Sequence, residues 1–326
     1  MQTALSIGSL TSVELLAKYL HQIAIYDCRG PCLNSIPILN PLAFDEAAAS
    51  HARRANGQLR GPLDGIPYTL KDSMKYKGMT CSNGSPALAD LVSSEDSFVA
   101  SQLRHVGAIC IGRTNSPPIM ASGMHRGAHG RAESPYNLDF LTAAFSSGSL
   151  NGLATSNAVS FAAFSLGSET VSSRRSLASN NALVDYTPSR TMMSLRGTWP
   201  LYVTCDVLVP HTRSIEDMLT ILDILTTEDE RADGDFWREQ TYVNVPKIQR
   251  PKSFLDLKMS SAGSLQGKTI AVSAMYVGGP SEGRPTIVSQ DVINLWKKAK
   301  SDLEALGAQV IETDFPLVTN YESTSG

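Results

Sequence analysis

Short blocks of apolar residues separated by polar turns predict that helices and strands alternate along this chain. Thr11 and Glu14 have the spacing of a capping box, which places the start of an amphipathic helix at this point. The apolar positions that follow at helical spacing are Val13, Leu16, Leu20 and Ile23. A second helix is predicted over the polar stretch from Ala47 to Arg60. The chain is therefore expected to open with two helices.

The segment GPLDGIPYTLKD, residues 61–72, predicts the first buried strand. Two glycines and two prolines frame a short apolar run from Ile66 to Leu70, and Lys71 ends this run. A lysine in such a position is commonly a surface residue whose stem covers apolar neighbours. The pattern alone therefore leaves open whether Lys71 is solvated or buried and functional.

Later segments repeat the alternation of helix and strand. Asp96 is the predicted N-cap of a helix that Gly107 ends, and residues 108–111 form the next predicted strand. Ser214 begins a further helix, whereas residues 226–268 are polar and lack sustained periodicity. The remaining elements are a strand at 269–272, a helix with one face formed by Val292, Leu295, Trp296, Ala299, Leu303 and Leu306, and a strand at 309–311. These last elements predict a β-α-β unit.

The composition indicates a globular protein and excludes several classes of function. With 326 residues, of which 42% are hydrophobic and 18% charged, the chain is long enough to bury a large core. A net charge of -3 provides no bulk positive field, so we expect no nucleic-acid partner. No stretch approaches the roughly eighteen uninterrupted apolar residues of a membrane span, and the N-terminus lacks the features of a secretory signal. The expectation is a cytoplasmic protein without a membrane span.

Other candidate chemistries lack a complete motif. Cys28 and Cys32 have no second pair of ligands at metal-binding spacing, so no metal site is expected. The segment GSLQGKT, residues 263–269, precedes a strand instead of following one, which argues against a phosphate-binding loop. Ser149 lies in GSLNG, whose second glycine is one position late for a G-x-S-x-G elbow. A nucleotide site and an α/β-hydrolase triad are therefore disfavoured.

Three segments together resemble the amidase signature family, whose members hydrolyse or transfer the acyl group of amides with a Ser–Ser–Lys triad. Residues 61–72 are similar to the family's G-P-L-x-G-[IV]-P-x-x-[LV]-K-D box. Residues 148–152 are similar to its Gly-Ser-Ser-Gly-Gly segment, and residues 167–175 to its nucleophile box, G-T-[DE]-x-G-G-S-I-R. The similarity covers roughly residues 10–225 and resumes at 267–322.

The resemblance implies a catalytic triad of Lys71, Ser149 and Ser173. In the family the bridging serine, which follows a cis peptide bond, precedes the nucleophile by 24 residues, and here 173 − 149 = 24. This count favours Ser149 over the neighbouring pair Ser146-Ser147. Under this hypothesis Lys71 takes a proton from Ser149, Ser149 takes one from Ser173, and Ser173 attacks the carbonyl to give an acyl-enzyme. Burial would have to lower the pKa of the lysine by about 3 units from its usual 10.4.

The resemblance also assigns residues that support this triad. The backbone N–H groups of Thr170, Val171 and Ser172 would bind the oxyanion together with that of Ser173. The supporting side positions are Gly148, Glu169 and Arg175. Val171 and Ser172 stand where the family has Gly-Gly, and non-glycine residues rarely adopt a positive φ. We therefore expect the oxyanion donors to be tilted from their orientation in the family.

The fold that the resemblance implies is α/β, with a mixed central sheet flanked by helices. Residues 1–225 would form the amidase signature core with the Lys and Ser boxes, and residues 226–268 a polar connection. Residues 269–326 would form a β-α-β unit that continues the same domain but is incomplete, because family chains extend further. The C-terminal part of the fold would be missing, and a partner chain or a second copy would cover the exposed sheet edge.

The predicted function follows from these assignments. The chain is expected to be an amidase that hydrolyses the C–N bond of a small-molecule, non-peptide amide without a cofactor. The alternative is a catalytically weakened amidase-like protein that binds a ligand or a partner without turning it over.

Overall fold

A computed structural model describes residues 1–121, 123–259, 263–279 and 287–314. The chain divides into two compact units, Met1–Leu255 and Asp256–Gly326. The helices of the first unit are α1 Gln2–Ser6, α2 Ser12–Gln22, α3 Ala43–Ala55, α4 Phe98–His105, α5 Asn151–Ala158, α6 Ser173–Asn180, α7 Ile215–Leu225 and α8 Phe236–Glu239. Its shorter turns are a π-helical turn at Ile23–Asp27 and 3₁₀ turns at Pro86–Leu88, Pro118–Met120 and Phe145–Ser147.

A six-stranded mixed sheet forms the centre of the first unit. Its strands are β1 Ile38–Leu39, β2 Pro67–Lys71, β3 Ile109–Thr114, β4 Phe164–Glu169, β5 Val184–Asp185 and β6 Val207–Thr212. They lie in the order β1-β3-β2-β4-β6-β5. The central strands β3, β2 and β4 are parallel, whereas β1, β6 and β5 pair antiparallel with their neighbours. This arrangement confirms the predicted α/β fold with a mixed central sheet.

Apolar side chains cover both faces of this sheet. Tyr68 and Phe164, on neighbouring strands, stack with their ring centroids 5.2 Å apart in the cluster that also holds the buried faces of α4 and α7. Because successive side chains alternate between the faces, Thr69 and Lys71 point to the other side, which α5 covers. All five residues of β2 are buried, since the strand lies in the middle of the sheet. The sheet therefore carries Lys71 into the interior.

The helix boundaries follow local capping signals, with one correction. Thr11 and Glu14 form the predicted capping box at the start of α2, and Ser214 caps α7 as expected. The prediction that Asp96 caps α4 is wrong, because Ser97 is the N-cap and its hydroxyl accepts from the N–H of Ala100. The Asp96 carboxylate instead pairs with Arg104. The ion pair competes for the carboxylate, so the neighbouring hydroxyl takes the capping position.

The second unit contains the predicted strand–helix–strand order. Its elements are α9 Asp256–Met259, β7 Thr269–Ser273, a 3₁₀ turn at Ala274–Val277, α10 Gln290–Ala305 and β8 Gln309–Thr313. β7 and β8 pair in parallel, as a β-α-β connection requires. Residues 315–326, which the sequence assigned to the end of this unit, lie outside the described residues.

The helices also bear on the question of a membrane. Across the described ranges, none of them has the length and apolar character that crossing a bilayer demands.

The stacked pair beneath the central strands predicts a large effect on stability. Phe164→Ala should lower the free energy of unfolding by about 3–5 kcal/mol, because it leaves a cavity against Tyr68. Phe140→Ala is the matched control, since Phe140 is 67% exposed and its truncation should cost about 0.5 kcal/mol or less. Urea denaturation of both variants measures the difference. Equal losses would contradict the placement of Phe164 in the core.

Candidate active site

Lys71 is the last residue of β2, and its side chain is fully buried. Its Nζ lies 3.4 Å from Ser149 Oγ and 3.2 Å from the carbonyl oxygen of Ser168. The amine therefore lies between the end of β4 and the turn that precedes α5. The structure brings the predicted lysine and the predicted bridging serine into hydrogen-bond range although they are 78 residues apart in sequence.

Burial lowers the pKa of Lys71 from its usual 10.5 to about 7. Water no longer stabilises the ammonium form, and this loss outweighs the opposing attraction of the carboxylates of Asp206, Glu169 and Asp72. At neutral pH a large part of the population therefore carries an uncharged amine. An uncharged amine beside a hydroxyl is able to accept its proton.

Ser149 lies in the turn between the 3₁₀ segment Phe145–Ser147 and helix α5, and it is 4% exposed. The preceding Gly148 allows the close approach of Met124, because a Cβ at this position would lie 2.2 Å from the Met124 sulphur. The peptide bond before Ser149 is trans, in contrast to the cis bond that the resemblance implied. The glycine thus sets the packing of the turn that presents Ser149 to Lys71.

Ser173 is the first residue of α6 and is half-buried. Within the described ranges its hydroxyl makes no hydrogen bond with Ser149. The contact across this gap is instead between Ser147 and Ser172, whose hydroxyl oxygens are 2.7 Å apart. The Ser147 hydroxyl also lies 3.0 Å from the carbonyl oxygen of Ser172. The structure therefore joins Lys71 to Ser149, but it does not join Ser149 to Ser173.

The turn from Thr170 to Ser172 carries the predicted oxyanion donors. Neither Val171 nor Ser172 has a positive φ, and Ser172 has φ −145° and ψ −7°. The N–H of Ser173 belongs to the first turn of α6, where backbone donors have no partner within the helix. The side chain of Val171 is 69% exposed beside this turn. The substitution of the two glycines thus leaves a backbone that never enters the left-handed region.

Glu169 and the two arginines after Ser173 fix the start of α6. The Glu169 carboxylate accepts from the N–H of Arg174 at 2.9 Å and lies 3.1 Å from its guanidinium. Arg175 lies 3.7 Å from the same carboxylate and also donates to the carbonyl oxygen of Val171. A carboxylate at the N-terminus of a helix stabilises it through the unpaired N–H groups there. Glu169 and Arg175 therefore both contact the segment around Ser173.

Sequence reasoning missed three contacts of this site. The Ser168 carbonyl accepts from Lys71, and the Ser73 and Ser168 hydroxyls are 3.2 Å apart. Asp206 accepts a hydrogen bond from the Thr170 hydroxyl at 2.6 Å. The one available signal for Asp206 was its place before the apolar run of β6. No pattern in the sequence indicated which residue it contacts.

The chain belongs to the Amidase family, whose model matches residues 14–325. This match confirms the resemblance that the three segments indicated. One similar relative is the human mitochondrial glutamyl-tRNA(Gln) amidotransferase, in its A chain component. That relative is 30% identical over 337 aligned positions, which cover 97% of this chain and 59% of the relative.

Solved structures of amidases are similar to this chain over almost its whole length. The native peptide amidase from Stenotrophomonas maltophilia is 26% identical, with a TM-score of 0.79 over 96% of this chain and 61% of that one. An amidase family protein from Bacillus anthracis is 27% identical, with a TM-score of 0.80 over 96% of this chain and 59% of that one. The chain thus spans about six-tenths of the length of these relatives.

The buried amine of Lys71 predicts a pH-dependent stability. Between pH 7 and 10.5 the unfolded chain binds a proton that the native chain does not, so the free energy of unfolding should rise with pH in this window. The full cost of burying the ammonium is present below pH 7 and is lost as the pH approaches 10.5. Lys71→Met should therefore be more stable than the parent at pH 6, by a margin that shrinks by several kcal/mol, roughly 1.4 per pH unit, towards pH 10.

Urea denaturation at a series of pH values measures this margin. Lys75→Met is the control, because the Lys75 side chain is 45% exposed and its removal should give a margin that stays flat across the same window. A flat margin for Lys71→Met as well would show that the Lys71 amine is solvated.

Proposed function

We propose that this chain hydrolyses the C–N bond of a carboxylic amide through Lys71, Ser149 and Ser173, without a cofactor. The observation that carries the proposal is the buried Lys71 amine, with a pKa near 7, at 3.4 Å from the Ser149 hydroxyl. A lysine tuned to the working pH and in contact with a hydroxyl has the properties of a general base.

In the proposed reaction the uncharged Lys71 amine takes the proton of Ser149 while Ser149 takes that of Ser173. The Ser173 oxygen attacks the amide carbonyl, and the resulting tetrahedral intermediate expels the amine, which receives the proton through the same relay. Water then attacks the acyl-enzyme and releases the acid. Catalytic hydrogen bonds are often longer without substrate, so the relay requires the Ser173 hydroxyl to reach Ser149 when substrate binds.

The negative oxygen of the intermediate would be bound by backbone N–H groups between Thr170 and Ser173. The N–H groups at the start of α6 support this role, because a helix N-terminus favours a developing negative charge. The substrate is proposed to be a small or amphipathic amide, since the exposed Val171 side chain borders the turn.

The relatives support amide chemistry and extend the proposal to partners. The name of the S. maltophilia enzyme describes a peptide amidase, and the human relative is one of the subunits of an amidotransferase. Because the chain covers about six-tenths of these proteins, its own activity is proposed and not transferred from them. By analogy with a component of a larger assembly, we include a partner chain or a second copy in the proposal.

A second candidate function is that of an amidase-like protein that binds a ligand without turnover. The hydrogen bond between Ser147 and Ser172 favours it, because this contact occupies the gap that the Ser149 to Ser173 proton transfer would cross. The non-glycine turn at Val171 and Ser172 also favours it, since misplaced oxyanion donors cost catalysis about 100-fold or more.

Labelling by a fluorophosphonate probe distinguishes the two functions. We expect the folded chain to be labelled at one serine, with complete loss of labelling in Ser173→Ala, because the nucleophilic oxygen is removed. Ser179→Ala should be labelled normally, since Ser179 lies on the exposed face of the same helix. Mass spectrometry of the labelled peptide identifies the serine. Labelling that persists in Ser173→Ala and disappears in Ser172→Ala would reassign the nucleophile, and no labelling of the folded parent would support the binding function.

Restoring one family glycine should raise reactivity. Ser172→Gly removes the hydrogen bond to Ser147 and allows the turn to adopt a positive φ, so we expect the labelling rate to be retained or to increase. Ser147→Ala removes the same hydrogen bond without changing the freedom of the backbone, and it separates the two effects. A large fall in the rate for Ser172→Gly would mean that the turn already has the shape that this chain requires.

A further inference from the structure

Asp206 is a buried carboxylate that directly precedes β6. One of its oxygens accepts from the Thr170 hydroxyl at 2.6 Å, and the other accepts from the N–H groups of Leu201 and Tyr202 at 2.9 Å and 3.0 Å. Both oxygens thus have partners, and the three donors come from two separate loops. A charged acceptor forms stronger hydrogen bonds than a neutral one, so this carboxylate holds the two loops together.

The sheet places Asp206 next to the proposed oxyanion turn. β4 and β6 are antiparallel, and Glu169 pairs with Val207 at the end of the ladder. The chain leaves β4 at Thr170 and enters β6 after Asp206, so the two residues face each other just beyond the last strand pair. The position of Thr170, and with it the following N–H groups, therefore depends on a contact that the ladder itself does not provide.

The charge of Asp206 also acts on Lys71. Among the carboxylates that oppose the effect of burial, Asp206 has the largest effect, ahead of Glu169 and Asp72. The other two are paired with arginines: Glu169 with Arg174 and Arg175, and Asp72 with Arg113 at 3.7 Å. Asp206, in contrast, has only the uncharged donors named above among its hydrogen-bond partners in the described residues. Its charge is therefore the least compensated of the three.

We propose that Asp206 is a positioning residue of the amidase reaction, which fixes the oxyanion turn through Thr170 and holds the protonated form of Lys71 within reach of neutral pH. This role rests on the proposed function. Leu201 and Tyr202 are attached to the same carboxylate and have exposed side chains, so the loop they form is held in register with the turn. Asp206 does not touch the reacting atoms and acts through Thr170 and Lys71.

The two effects of Asp206 are separable by substitution. Thr170→Val removes the hydroxyl that binds Asp206 but keeps its charge, whereas Thr170→Ser retains the hydroxyl. Asp206→Asn retains the shape of the side chain but removes the charge. Asp27→Asn is the matched control, because the buried Asp27 carboxylate likewise accepts from one hydroxyl and two backbone N–H groups, those of Ser35 and Ile36.

The experiment measures the rate of fluorophosphonate labelling from pH 5 to pH 10. Thr170→Val should slow labelling about 10- to 100-fold without moving the midpoint of the pH profile, because a donor is misplaced and the charge remains. Thr170→Ser should restore most of the rate. Asp206→Asn should slow labelling and also move the midpoint to lower pH by about half a unit or more, because the protonated lysine loses an attractive charge. Asp27→Asn should change neither quantity.

A second measurement does not depend on reactivity. The stability margin between Lys71 and Lys71→Met, determined by urea denaturation in the Asp206→Asn background, should begin to shrink at a lower pH than in the parent. A parent chain that is not labelled would overturn the proposed function, while a margin that still moves would retain the action of Asp206 on Lys71. Normal labelling of Thr170→Val, or an unmoved midpoint and margin in Asp206→Asn, would overturn the proposal. Should Asp206→Asn fail to fold, the Thr170→Val and Thr170→Ser pair decides the positioning role.

Discussion

The burial of one amine at the end of a central strand is the constraint on which the rest of the site depends. Lys71 ends a strand flanked by two parallel neighbours and covered on both faces, so its ammonium form has little access to water. The fold tolerates this residue because loss of the proton relieves the cost, and a pKa of about 7 makes that loss available at neutral pH. A group that the fold destabilises when charged is thereby able to accept a proton.

The surroundings of the amine have two different characters. On one side, the Lys71, Ser149 and Ser168 contacts are buried and supported by strands, so they form a rigid part of the site. On the other side, Ser173 begins a short helix whose preceding turn has no glycine to relax it. The hydrogen bond of Ser147 to Ser172 belongs to this second part. The proposed base is therefore well defined, whereas the nucleophile depends on how the turn responds to a substrate.

Charge around the site is distributed so that each carboxylate has a separate task. Glu169 organises the start of α6 through Arg174, and Asp206 connects the turn to the loop of Leu201 and Tyr202. Both also favour the protonated form of Lys71 and so keep its pKa from falling further. The same groups thus determine the position of the turn and the protonation of the base, which couples geometry to pH in this site.

The sequence by itself determined what depends on neighbours along the chain. The capping box at Thr11, the apolar run that ends at Lys71 and the β-α-β order after residue 268 are local patterns, and the structure has all of them. The family match was also within reach, because its boxes are contiguous segments. Only the tertiary structure decided which serine meets which, and that Asp206 receives the Thr170 hydroxyl. Such contacts join turns from distant strands, and their geometry depends on the register of β4 against β6, to which no local periodicity responds.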